Sequence, residues 1–129
     1  MIFDQIHEMD NLKAAWERVR LSKSPPGIDR MTCNDFEKNL AANLHKAQRQ
    51  IREGSYRPLP VVIYDKHKKK GFRSIGISTV RDKVVQQAVL RVIQPHFEQR
   101  FLPCSYAYRP GKSALTAVQK AVNLINNGN

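Results

Sequence analysis

Residues 58–77 constrain the fold of this chain more than any other stretch. Pro58-Leu59-Pro60-Val61-Val62-Ile63-Tyr64 is β-branched and too short for a helix, and residues 72–77 form a second run of the same kind. Between them lies Asp65-Lys66-His67-Lys68-Lys69-Lys70-Gly71. Two such runs around a glycine-containing turn predict two antiparallel strands with a basic, flexible tip. Proline cannot donate to a strand ladder, so Pro58 and Pro60 place the first strand at a sheet edge or mark an irregular lead-in to it.

The flanks carry helical spacing instead. Leu12, Ala15, Trp16 and Val19 fall at i, i+3, i+4 and i+7, an amphipathic helix that Ser24-Pro25-Pro26-Gly27 ends. Thr32 with Asp35 offers an approximate capping box for a second helix through Phe36, Leu40, Leu44, Ala47 and Ile51, closed by Gly54. Thr79 with Asp82 repeats the arrangement for a third, whose stripe is Val84, Val85, Ala88, Val89, Val92 and Ile93, and Pro95 breaks or restarts it. Ser113 caps a last helix carrying Ala117, Val118, Ala121, Val122 and Ile125, and 126–129 runs out as a turn. The expected fold class is α+β, about four helices around one long antiparallel β-hairpin. The length of 129 residues suits one domain.

Charge bounds the partners. With 22 Lys and Arg against 11 Asp and Glu, the net charge of +11 points to a polyanion held through phosphate contacts and counterion release. Cys33 and Cys104 are isolated and read as reduced thiols, buried or nearly so, in a cytoplasmic protein. His7, His45, His67 and His96 are scattered, which argues against a metal centre. No stretch approaches the roughly 18 apolar residues a membrane span needs, and Met1-Ile2-Phe3-Asp4 lacks a basic n-region followed by an apolar run, so a cytoplasmic protein is expected.

A two-metal phosphoryl-transfer site needs carboxylates converging on ions about 4 Å apart. Asp29, Asp35, Asp65 and Asp82 are spread over different elements, so no catalytic or metal-ligating set is expected here. Two binding features stand out. Lys66, Lys68, Lys69, Lys70 and Arg73 cluster on the hairpin, either to meet an anion or as a solvated turn guarding an edge strand. Arg73 lies inside the second strand, where a planar guanidinium suits bidentate grip of a phosphate. The other feature is Tyr106-Ala107-Tyr108-Arg109-Pro110-Gly111-Lys112-Ser113, two aromatics and two cations leading into a helix. That mixture suits a nucleotide strand, and equally a structural loop whose tyrosines plug a core.

In order along the chain, these segments resemble the start of group II intron reverse transcriptases. The likeness rests on 11–20 with Pro26-Gly27-Ile28-Asp29-Arg30-Met31-Thr32, on Arg57-Pro58-Leu59-Pro60-Val61, Lys66 and 73–88, and on 105–114. Arg30 stands where that family usually has Gly, Asp65 where Pro often precedes the lysine, Ser78 for a frequent Pro, and Ala107 for a frequent Gly.

The resemblance implies a fingers region with the palm missing: a helical template-binding part at 1–54, the fingers hairpin at 55–78, and helices with a connecting loop at 79–129. It implies that Lys66 and Arg73 contact the triphosphate of an incoming dNTP, with Arg109 another nucleotide contact. Arg30, Lys68, Lys69, Lys70, Tyr106 and Lys112 would bind the RNA template or the RNA/DNA duplex. The whole enzyme would be an RNA-directed DNA polymerase using Mg²⁺, its catalytic aspartates beyond Asn129, so this part would catalyse nothing alone and bind no metal. Apolar helix faces without a palm would favour self-association. The rival readings are a stand-alone basic RNA-binding module and a structural, oligomerising protein.

Overall fold

A computed structural model describes residues 1–128, so Asn129 of the closing turn lies outside the described residues. The elements are α1 (Ile2–Ile6), α2 (Met9–Leu21), α3 (Cys33–Lys38), α4 (Leu40–Arg52), β1 (Val62–Lys68), β2 (Gly71–Ile77), α5 (Val80–Glu98) and α6 (Ala114–Asn126). The class is α+β, as expected, with six helices among the described residues rather than about four. The short α1 has no apolar period to betray it. It is fastened from outside: Asn11 Nδ2 donates to Ile6 O at 3.1 Å and to Ala88 O at 3.0 Å, and Gln48 Nε2 donates to His7 O at 2.9 Å. The expected second helix is two helices, parted at Asn39, whose φ of −124° and ψ of 40° are not helical.

The chain divides into two compact units, Met1–Ile93 and Gln94–Asn129. The first holds the core. Leu12, Ala15, Trp16 and Val19 of α2 pack with Phe36, with Leu44, Ala47 and Ile51 of α4, and with Val80, Val84, Val85 and Ala88 of α5. Trp16 and Phe36 are the largest of these, with ring centroids 5.1 Å apart. Most of each stripe read at helical spacing in this unit is therefore buried, with Leu40, Val89 and Ile93 half-buried at the edges, and burial is where such an amphipathic face gains its stability.

From this core the β1–β2 hairpin projects, exposed along its length except at Val62 and Ile77. The strands pair antiparallel in the register Val62↔Ile77 to Lys68↔Gly71. The limits of β1 differ from the reading of the sequence. Pro58–Val61 is irregular, because the prolines lack a donor and the Leu59 N–H is given to Asp82 Oδ2 at 2.9 Å. In exchange, β1 runs on through Lys66 to Lys68, so the turn itself is only Lys69-Lys70. Gly71 follows it at φ 95°, the left-handed conformation that glycine adopts without steric cost.

The second unit contains the end of α5, a loop and α6. Helix α5 continues through Pro95 to Glu98, although Pro95 has no N–H to offer the preceding turn. Ser113 and Thr116 form a capping box at the start of α6, as the cap reading anticipated for Ser113. No residue of α6 is buried, and Leu115, Val118, Val122 and Ile125 stand exposed along it.

Candidate nucleic-acid interface

The register sorts the hairpin side chains into two faces, because side chains alternate along a strand and cross-strand partners share a face. Lys66 stands directly opposite Arg73, and Lys68, Tyr64 and Ile75 share their face. Asp65, opposite Ser74, is on the other face and accepts from Ser74 Oγ at 2.5 Å. His67 and Phe72 pair there too, with ring centroids 4.7 Å apart. The one acid of the hairpin is thus turned away from Lys66 and Arg73. Neither cation, nor Lys68, Lys69 or Lys70, has a carboxylate within salt-bridge distance among the described residues. Like charges directly opposite in a ladder repel, so this face is electrostatically incomplete by itself.

Behind the hairpin, a backbone crossing fixes the segment around Gly27. A Cβ on Gly27 would lie 2.6 Å from Thr79 N and 2.7 Å from Thr79 Cα, which leaves room for glycine alone. Arg30 N donates to Gly27 O at 3.0 Å, and Asp29 Oδ1 accepts from Met31 N at 3.1 Å. This tight turn holds the exposed Arg30 at φ 56°. The unusual arginine therefore sits where a glycine would be free of strain. Lys83 Nζ reaches the same segment, donating to Pro25 O at 2.6 Å, and burial pushes its ammonium down.

The carboxylate of Asp82, 2% exposed, ties the strand lead-in to the start of α5. It accepts from the Tyr56 hydroxyl, from Leu59 N at 2.9 Å, and from Arg81 Nε and Nη2 at 3.2 and 3.1 Å. Thr79 Oγ1 accepts from Asp82 N at 3.2 Å, so the cap read at Thr79 is present. Burial alone would raise the Asp82 carboxyl. The hydrogen bonds from Tyr56, Leu59, Thr79 and Arg81 outweigh it and hold the group below the ordinary range. Burial, with Asp82 as a second cause, pushes the Tyr56 phenol well above its usual range.

In the second unit, the loop of residues 99–113 is organised around Arg109. Its side chain is 8% exposed. Nε and Nη2 donate to Glu98 Oε1 at 3.0 and 2.8 Å, and Nη1 donates to Leu102 O at 2.9 Å and Ser105 O at 2.7 Å. The guanidinium also lies 5.3 Å from the Phe101 ring centroid. Four of its five N–H donors are thereby used, two by the end of α5 and two by carbonyls of the loop. Tyr106 is half-buried, and Lys112 Nζ stands 4.9 Å from its ring centroid.

Lys66 and Arg73 are thus brought together, with Lys68 beside them, while Arg109, Tyr106 and Lys112 belong to the other unit. One set of cations escaped the sequence reading. Lys46, Arg49 and Arg52 occupy the exposed face of α4 beside His45, opposite Leu44, Ala47 and Ile51, with no acid in salt-bridge distance among the described residues. The helical period of the cations themselves, rather than of the apolar residues, carried that signal. Cys104, expected to be buried or nearly so, is exposed, and Cys33 is half-buried against the core.

Among the described residues no three His, Cys, Asp or Glu side chains gather in one place. No helix among them is long and apolar enough to cross a membrane.

No family model matches the sequence. Protein YkfC of Escherichia coli (strain K12) is 32% identical over 106 residues, 79% of this chain and 28% of that protein. Group II intron-encoded protein LtrA of Lactococcus lactis subsp. cremoris is 31% identical over 98 residues, 74% of this chain and 16% of LtrA. The putative COX1/OXI3 intron 1 protein of Saccharomyces cerevisiae is 24% identical over 94% of this chain, which spans 14% of it. The chain therefore spans less than a third of these relatives' length. With the α+β fold and its cationic hairpin, these matches show that the chain belongs to the family of group II intron-encoded reverse transcriptases and maturases.

Proposed function

We propose that this chain is the template- and nucleotide-gripping fingers part of an RNA-directed DNA polymerase of the cytoplasm, inactive alone. The observation that carries the reading is the cross-strand pair Lys66↔Arg73, two cations without a carboxylate partner among the described residues, on one exposed face with the hairpin's acid on the other. A triphosphate supplies the negative charge that face lacks. Arg73 offers a planar fork to it and Lys66 a mobile point charge. Lys68, Lys69 and Lys70 extend the positive surface toward an RNA template or RNA/DNA duplex, and Arg30 adds a cation on the Gly27 turn. In the second unit Lys112 and Tyr106 face the nucleic acid. There Arg109 acts chiefly by ordering the loop, with one N–H left for a phosphate.

Catalysis belongs to the longer enzyme, whose Mg²⁺ ligands are not among these residues. Phosphoryl transfer of this class depends on positioning and charge neutralisation, which is what the hairpin would contribute. In the full-length polymerase, Lys66→Ala and Arg73→Ala should each raise KM for dNTP about tenfold, the loss of one charged hydrogen bond of about 1.5 kcal/mol. Steady-state incorporation kinetics measure this, and unchanged dNTP kinetics in both variants would reject the assignment. A basic RNA-binding module without polymerase function predicts RNA affinity in this chain and no dNTP effect at all.

A further inference from the structure

One ring in the loop between α5 and α6 is completely open to solvent. Tyr108 is 103% exposed, and its backbone sits at φ 56°. A bulky residue adopts the left-handed region only where its surroundings impose it, and such outliers gather at functional positions. The constraint here is the next residue. Arg109 is locked by four hydrogen bonds to Glu98, Leu102 and Ser105 and by the Phe101 ring beneath it. The loop thus encloses Arg109 and exposes the neighbouring Tyr108 ring, the reverse of what solvation would arrange.

The surroundings of the ring say what it meets. Residues 99–113 carry Arg100, Arg109 and Lys112 and no acid. Phe101 and Leu102 are exposed in the same loop, but the charge around the ring is positive throughout, and a nucleotide offers a base to the ring and a phosphate to Arg100 and Lys112. We propose that Tyr108 is a stacking platform for an unpaired base of a single-stranded RNA, with Arg109 as the positioning residue that holds it out. This rests on the nucleic-acid reading above and assigns a contact that reading does not contain.

The test uses the 129-residue chain and an RNA of about twelve nucleotides bearing one 2-aminopurine, whose fluorescence falls on stacking. Tyr108→Gly removes the ring and relieves the positive φ, so it separates binding from folding. It should leave thermal stability equal or higher, weaken RNA binding roughly ten- to hundredfold and abolish the quenching. Tyr108→Phe should keep both the affinity and the quenching. Binding by Tyr108→Gly within about twofold of the parent, or loss of affinity in Tyr108→Phe as well, overturns the stacking role. Lys66→Ala/Arg73→Ala measured on the same RNA tells the two readings apart. If it weakens binding while Tyr108→Gly does not, the platform alone is rejected. If the parent chain fails to bind at low salt, both are rejected.

Discussion

At Gly27 the hydrogen in place of a side chain lets one backbone pass against another. A methyl group there would sit 2.6 Å from Thr79 N and 2.8 Å from Ser78 C, and neither backbone atom can swing aside as a flexible side chain would. Gly27→Ala should therefore cost about 2 kcal/mol or more, as overpacking does in cores. A fall in the denaturant midpoint measures it, and an unchanged midpoint would show that the two segments can part. Sequence reading placed Gly27 in a turn but had no means to see Thr79, far along the chain. Arg109 teaches the same lesson from the opposite side. Its type and neighbours suited a phosphate contact, yet Glu98 and two carbonyls claim most of its donors. Which partner a guanidinium finds is decided by distance in space.

Between elements, Asp82 is the joint. It begins as a helix-cap residue in the sequence and ends as the buried anchor for Tyr56, Leu59 and Arg81, binding the lead-in of β1 to the first turn of α5. Its carboxyl is lowered in the folded chain, so the folded state prefers it ionised. That stabilisation is fully present above the unfolded carboxyl's value of about 3.9 and is lost as pH falls through the lower folded value. Asp35 behaves likewise, lowered to about 2 by the Thr32 hydroxyl first and Lys38 next. Thermal stability should hold steady from neutral pH to about pH 5 and decline below about pH 4. Asp82→Asn should lower stability at pH 7 by about 2 kcal/mol or more and flatten the acid limb. An acid limb identical to the parent's would mean that Asp82 does not carry this coupling. The elements themselves were largely legible, because the stripe of Leu12, Ala15, Trp16 and Val19 and the cap at Thr32 depend on neighbours three or four positions away. The limits of β1 were not, because Leu59 gave its N–H to a carboxylate 23 positions on instead of to the ladder.

For the molecule as a whole, net charge governs how it meets a polyanion. At +11, single-stranded RNA binding should weaken steeply with salt, and the slope counts phosphates neutralised. Replacing Lys68, Lys69 and Lys70 together by alanine should flatten the slope of log K against log salt by about 2, at about 0.7 per phosphate. Titrations across NaCl concentration give this directly, and an unaltered slope would mean that the hairpin tip never touches the backbone. Lys46, Arg49 and Arg52 on the exposed face of α4 add to the positive field that would steer such a polyanion. By itself the sequence determined the class, the helices with apolar period, the existence of the hairpin and the excess of positive charge, all of them set by composition and short-range spacing. The tertiary structure alone decided that Lys66 faces Arg73 while Asp65 turns away, that Gly27 touches Thr79, and that Arg109 is enclosed while Tyr108 stands out. Register, burial and side-chain partners are properties of residues distant in the chain and close in space, and no local pattern encodes them.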